Sequence, residues 1–275
     1  MHPDAFNLGP LTVHWYGVMM AVAFLAGLWT ASRRAPRDGI SAETIYDATV
    51  WIIVGTIIGA RIFYVVEYWD TLMESPMFPS APWTEVFMIQ RGGLVYYGGL
   101  IGASLACILF VRRRKLPLWK VADAFAPSIA LGYVFGRIGC LLNGCCFGKV
   151  CHLPWAIHFP NQSFAWRTQF DARLVGPYDP SLPVHPTQIY DSLLNLGLYL
   201  VLAWLYRRKK FDGQVFAVYL MCYAITRSIV ETFRGDYTAE HIHDGLTPAH
   251  LVGIGIFIAG AALFWFLSRF RLKST

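Results

Sequence analysis

Long apolar runs constrain this chain more than any other feature. Seven stretches, at roughly 14–32, 48–66, 95–112, 120–142, 186–206, 213–231 and 247–268, each approach the ~20 residues a helix needs to cross a bilayer core. They override the one or two soluble domains that 275 residues would otherwise allow. Only 15% of the residues are charged, against about a quarter in a soluble domain. The predicted fold is an all-α integral membrane protein with about seven transmembrane helices, read as a single polytopic domain over residues 1–275. Met1-His2-Pro3-Asp4 lacks the basic start and small-residue cleavage site of a secretory signal.

The net charge of +6 could serve nucleic acid or a membrane surface, and its distribution favours the membrane. Arg33, Arg34 and Arg37 follow the first run, Arg112 to Lys115 and Lys120 the third, Arg207 to Lys210 the fifth, and Arg269, Arg271 and Lys273 the seventh. Basic turns face the cytoplasm. The N-terminus is therefore expected outside and the C-terminus inside. Two connections on the outer side are long. Residues 67–94 should form an arm. Residues 143–185, rich in Pro, Trp, Phe and His, should form a small head containing short β segments, with Pro154 to Phe159 reading as a strand.

Three arginines, Arg61, Arg137 and Arg227, lie inside apolar runs, where each costs about 2.5–3.5 kcal/mol unless it meets a partner or a cavity. Snorkelling to the interface is the competing explanation, above all for Arg61 with Glu67 beyond it. Alternating helix direction places Tyr16, Tyr97, Arg137, Asn143, His185, Gln188, Tyr223, Arg227 and Glu231 at outer helix ends, drawn from five segments. Snorkelling alone would scatter them over both interfaces. Tyr223, Arg227 and Glu231 share one helix face at i, i+4, i+8, and Arg234 follows. A carboxylate can orient an arginine and leave part of its planar fork for phosphate. Glycines surround these positions: Gly136, Gly139, Gly144 and Gly148 about Arg137, and Gly92, Gly93, Gly98 and Gly99 about Tyr96 and Tyr97. They permit close approach of a lipid or of another helix.

These strings resemble one family. His14-Trp15-Tyr16-Gly17, Arg91-Gly92-Gly93, Tyr97-Gly98-Gly99-Leu100-Ile101-Gly102, Gly136-Arg137-Ile138-Gly139, Asn143-Gly144 and His185-Pro186-Thr187-Gln188-Ile189-Tyr190 occur in the order found in bacterial prolipoprotein diacylglyceryl transferases, with Tyr223, Arg227, Glu231, Arg234 and Asp236 after them. The resemblance implies an enzyme at the outer face of the bacterial cytoplasmic membrane. It would move the diacylglyceryl group of phosphatidylglycerol to the lipobox cysteine of a prolipoprotein, form a thioether and release glycerol phosphate, with no metal or soluble cofactor. Arg137 and Arg227 would bind and stabilise the phosphate, Tyr16 and Asn143 would donate to it, and Glu231 would orient Arg227. Gly98, Gly99, Gly139, Gly144, His185, Gln188, Tyr223 and Arg234 would line the lipid site. Many members carry histidine, cast as general base, where this chain has Tyr97. A phenol with a reference pKa near 10 is a poor base at neutral pH, though Tyr97 could still donate to the phosphate; the base stays unassigned, with His14 and His185 as nearby candidates, unless the chemistry does not require one. An arginine-lined lipid or anion transporter is the rival class, but it would need repeats or broken helices.

Cys140, Cys145, Cys146 and Cys151 fall in one stretch. A bridge from Cys145 or Cys146 to Cys151 would suit an oxidising compartment. Small buried thiols are the alternative. A metal site is disfavoured for want of a paired C-x2-C spacing. His158, His241, His243 and His250 read as loop or capping residues.

Overall fold

All seven apolar runs become helices. The computed structural model describes residues 4–8, 11–74, 86–88, 92–235 and 247–273. In chain order the elements are β1 (Asp4–Leu8), β2 (Leu11–His14), α1 (Trp15–Arg34), α2 (Ala42–Glu67), α3 (Trp69–Glu74), α4 (Tyr96–Arg113), α5 (Leu118–Asn143), α6 (Phe164–Asp171), α7 (Thr187–Tyr206), α8 (Gln214–Glu231) and α9 (Pro248–Lys273). The helices containing α1, α2, α5, α7 and α9 are long and apolar enough to cross a membrane. Helices α4 and α8 have 18 residues each and carry charge at or near their ends, Arg112 and Arg113 on α4, Arg227 and Glu231 on α8. The protein is a mostly helical multi-span membrane protein. Its large apolar side chains point outward in number, among them Leu25, Trp29, Val50, Val54, Leu200, Trp204 and Ile258. That pattern suits a lipid solvent, where apolar surface is not driven inward.

The described chain forms two compact units, Ser32–Val121 and the remainder, Met1–Ala31 with Ala122–Thr275. In the Ser32–Val121 unit, α2 and α4 pack through facing small-xxx-small pairs. A Cβ on Gly55 would strike the Gly102 carbonyl, and one on Gly59 would strike Gly98. Such close backbone approach is how membrane helices gain dispersion contact without a hydrophobic drive. Arg61 is buried on α2 and donates from Nε to Val86 O (2.9 Å) and from Nη1 to Gly92 O (2.9 Å) and Gly93 O (3.0 Å). It clamps carbonyls of the 67–94 connection rather than snorkelling.

In the other unit α1 lies on α5, with Thr30 bonded to Ser128 (2.9 Å) and Ala23 facing Gly132. Helix α8 packs on both α7 and α9. Asp123, fully buried near the start of α5, accepts from Lys209 Nζ (3.0 Å), Gly213 N (2.9 Å) and Phe216 N (2.9 Å), and so fastens the α7–α8 turn.

The head departs from expectation in detail. Pro154–Phe159 is not a continuous strand. Only Ile157 pairs, in an isolated bridge with Val184, which Val150 also bridges. The segment is too rich in turns to extend further, and α6 follows it with Ser163 as its N-cap. A small core of Phe147, Phe159, Ala165 and Val184 holds the head together. The antiparallel β1–β2 hairpin before α1 is the sheet of the described residues, and it was not anticipated. All six cysteines carry free thiols, in keeping with the small-thiol alternative rather than a bridge from Cys145 or Cys146 to Cys151.

Candidate active site

Arg137 sits one turn and a half from the end of α5, and its charge is answered from α7. Its Nε lies 2.8 Å from Asp191 Oδ2, and its Nη2 donates to the Tyr133 hydroxyl at 2.6 Å. Tyr133 in turn donates to Asp191 Oδ2 at 3.3 Å. Asp191 is 2% exposed and is steadied from below by Asn195, whose Nδ2 reaches its carbonyl at 2.9 Å and its Oδ1 at 3.4 Å. An arginine so held presents a fixed fork, with its side chain still 12% exposed. Sequence reasoning missed Asp191, although it is the lone acid of the fifth apolar run. An intramembrane acid is a functional candidate by default.

Arg227 is ion-paired with Glu231 one turn along α8. Glu231 is buried and accepts from Thr247 Oγ1 (2.8 Å), which also meets His250 Nδ1 (3.0 Å). The capping reading of His250 thus has a geometry, whereas His241, His243, Asp236 and Arg91 lie outside the described residues. Tyr223 stacks edge-on against Tyr133 at 5.8 Å, which joins the two arginine systems through aromatic contact. The charges of Arg137, Arg227 and Arg234 all bear on Asp191. Each carboxylate is thus matched by one guanidinium, Asp191 by Arg137 and Glu231 by Arg227, and Arg234 adds a further positive charge that acts on Asp191.

Helix α5 ends in a tight turn that builds the rest of the site. Gly144 adopts φ 73°, Gly144 N donates to Leu141 O (3.2 Å) and Cys145 N to Cys140 O (3.1 Å). This is the paired bonding of a Schellman cap, and it needs a residue tolerant of the left-handed region at its turn. The cap folds Cys145 back over Cys140. Gln188 Nε2 and Thr187 Oγ1, at the start of α7, then pin the carbonyls of Cys145 and Cys146, each at 2.7 Å. The three sulfur atoms of Cys140, Cys145 and Cys146 lie within 4.8 Å of one another. Hydrogen bonds from Cys140 and Cys145, with the positive charge of Arg137 and Arg234, draw the Cys146 thiol well below its usual pKa despite burial.

Tyr16 packs its ring and backbone against Gly139, where a Cβ would approach Tyr16 Cδ2 to 3.2 Å. Asn143 donates to Cys145 Sγ at 3.6 Å. It also lines a cavity of about 510 Å³ with His14, Gly144, Phe159 and Arg167. His185 bonds Tyr190 through Nδ1 (3.2 Å), and Tyr190 accepts from Trp155 Nε1 (2.7 Å), so the aromatics of the head brace that imidazole. Gly148 and Gly235 exist for close backbone approach: a Cβ on Gly148 would strike His185, and one on Gly235 would strike Gly148.

The structure thus gathers Tyr16, Arg137, Gly139, Asn143, Gly144, His185, Gln188, Tyr223, Arg227, Glu231 and Arg234 in one unit. Tyr97, Gly98 and Gly99 belong to the other. There Tyr97 is exposed at the start of α4 beside Tyr96, and Gly98 and Gly99 are buried against α2, which gives these glycines a helix-packing role.

Comparison with known proteins bears on the whole arrangement. The family profile of prolipoprotein diacylglyceryl transferase matches residues 3–266. A phosphatidylglycerol–prolipoprotein diacylglyceryl transferase of Synechococcus elongatus is 36% identical over 240 residues, 85% of this chain and 77% of that one. Its counterpart in Finegoldia magna is 33% identical over 94% of this chain and 93% of its own. The Aeromonas salmonicida protein of the same name is 33% identical, covering 96% and 89% respectively.

Proposed function

The chain belongs to the prolipoprotein diacylglyceryl transferase family, and on that premise we infer that it transfers the diacylglyceryl group of phosphatidylglycerol to prolipoproteins, the first step of their maturation. The family profile runs through both compact units, which supports treating them as one membrane enzyme. The acceptor is the lipobox cysteine thiol, whose sulfur displaces glycerol phosphate from the glycerol carbon and leaves a thioether. The reaction takes place toward the outer leaflet of the bacterial cytoplasmic membrane.

One observation carries the assignment of roles: Arg137 is fixed at the end of a membrane helix by Asp191 and Tyr133, with Arg227 and Arg234 contributing charge nearby. As the carbon–oxygen bond breaks, negative charge grows on the phosphate. Positively charged donors already in place stabilise that charge without reorganising. Arg137 is the principal donor, Arg227 oriented by Glu231 is the second, and Asn143 and Tyr16 complete the set. Asp191 is a positioning residue that acts through Arg137. The cavity beside Asn143 and His14 gives the acceptor segment a route to the same helix end.

The test is reconstitution in liposomes of phosphatidylglycerol with a lipobox-cysteine peptide, reading peptide mass and released glycerol phosphate. A gain of one diacylglyceryl group is expected, absent for a Cys→Ala peptide and reduced about 10²–10³-fold in Arg137→Lys. Lysine keeps the charge but loses the planar fork. Undiminished transfer by a folded Arg137→Lys protein would remove Arg137 from the chemistry.

A further inference from the structure

The thiol cluster is not needed to bind phosphate, yet it lies against the residues that do. Cys140, Cys145 and Cys146 converge only because the Schellman cap at Gly144 reverses the chain and Cys146 accepts a φ of 60°. Their sulfurs lie within 4.8 Å of one another. Tetrahedral zinc with Zn–S bonds near 2.3 Å needs sulfurs about 3.8 Å apart, so an adjustment of no more than about 1 Å per pair closes the site. Asn143 already donates to Cys145 Sγ, and Gln188 and Thr187 fix the backbone of both turn cysteines. Such outer contacts orient thiolate ligands. Zinc held by three thiolates carries one net negative charge, and two once a fourth thiolate joins.

We propose that Cys140, Cys145 and Cys146 form a trithiolate site for a zinc-class ion whose fourth position receives the thiol of the acceptor cysteine. The proposal rests on the transferase reading and deepens it. A thiol loses its proton outright on coordination to such an ion, and that proton passes to solvent. The resulting thiolate is the nucleophile. Its electron pair forms the carbon–sulfur bond as the glycerol carbon–phosphate oxygen bond breaks, and the bonding pair leaves with glycerol phosphate beside Arg137. The product thioether is a weaker ligand than a thiolate, so it departs and the fourth position opens again. No oxidant or reductant enters.

The test uses the full chain purified in detergent from zinc-supplied cells under mild reductant. Metal analysis should find about one zinc per chain, lost to background in Cys140→Ser, Cys145→Ser and Cys146→Ser and kept in Cys151→Ser. Asn143→Ala should weaken zinc affinity by about 10–100-fold. Cobalt(II) in place of zinc should give sulfur-to-metal charge transfer and the visible bands of a tetrahedral site. A lipobox-cysteine peptide should shift those bands, and its serine analogue should not. Phosphatidylglycerol binding by the serine variants reports that they remain folded. A metal-free protein that transfers at full rate, or thiols isolated as a disulfide without zinc, overturns the metal site and leaves the transferase standing. Zinc bound with a peptide-dependent shift, but with no diacylglyceryl transfer, overturns the transferase reading instead.

Discussion

At the level of single residues, the site is a set of charges made tolerable in a membrane by their partners. Arg137 was legible in the sequence because a guanidinium among apolar residues demands an explanation. Its partner was equally visible as the lone acid of a run, but the pairing across α5 and α7 is a tertiary fact that periodicity cannot express. The sulfur cluster was still less legible, since a C-x4-C-C spacing matches no common ligand pattern and becomes close only through the cap at Gly144. Two substitutions separate positioning from mere structure. Asp191→Asn removes the carboxylate from Arg137 and leaves a buried charge unpaired, at a cost of about 3–5 kcal/mol in stability. It should depress kcat along with the melting temperature. Tyr133→Phe keeps the ion pair and deletes two hydrogen bonds to charged groups, the one from Arg137 and the one to Asp191, and transfer should fall roughly tenfold or more with kcat carrying the loss. If Tyr133→Phe raised KM alone, with kcat intact, the fork held by Tyr133 would serve ground-state lipid binding rather than the departing phosphate.

At the level of elements, the long helices were readable because length and apolarity are local properties. The smaller pieces were not. The β1–β2 hairpin is two short strands, and the Gly9-Pro10 pair between them in the sequence was a turn signal left unused. Helix α6 carries Arg167, Gln169 and Asp171 and lies outside every apolar run. The head strand failed because Ile157 makes a single bridge. The glycines of α4 show a different ambiguity: a sequence cannot say whether a small residue makes room for a lipid or for a helix. In α2 and α4 the answer is a helix, and it can be tested. Gly59→Leu and Gly102→Leu place side chains where backbone atoms of the partner helix already lie, and each should destabilise the protein by about 1–3 kcal/mol or more. Gly255→Ala on α9, with open space at its Cβ, should be neutral or stabilising by up to about 1 kcal/mol. Thermal unfolding in one detergent measures all three. Equal melting temperatures would mean that α2 and α4 do not pack through these residues.

For the whole molecule, the decisive quantity is which side of the membrane holds the site. Helix α5 carries two polar anchors, one near each end. Asp123 ties the start of α5 to Lys209 and the α7–α8 turn, and Arg137 ties its far end to Asp191 near the start of α7. Fourteen residues of helix separate them, about 21 Å along the axis. The Asp123 end shares its turn with Arg207, Arg208, Lys209 and Lys210, and the α4–α5 turn at the same end of α5 holds Arg114 and Lys115. Basic turns of this density stay in the cytoplasm. On this ground we propose that Arg137, the sulfur cluster and the head lie on the outer side, where a translocated acceptor cysteine would present itself. Alkaline phosphatase, active only after export, should be active when fused after Ala172 in the head and inactive when fused after Arg114 or Lys210. A fluorescent protein, which matures in the cytoplasm, should light up at the C-terminus. The reverse pattern would put the arginines at the inner leaflet, where a lipobox cysteine awaiting modification after export could not reach them.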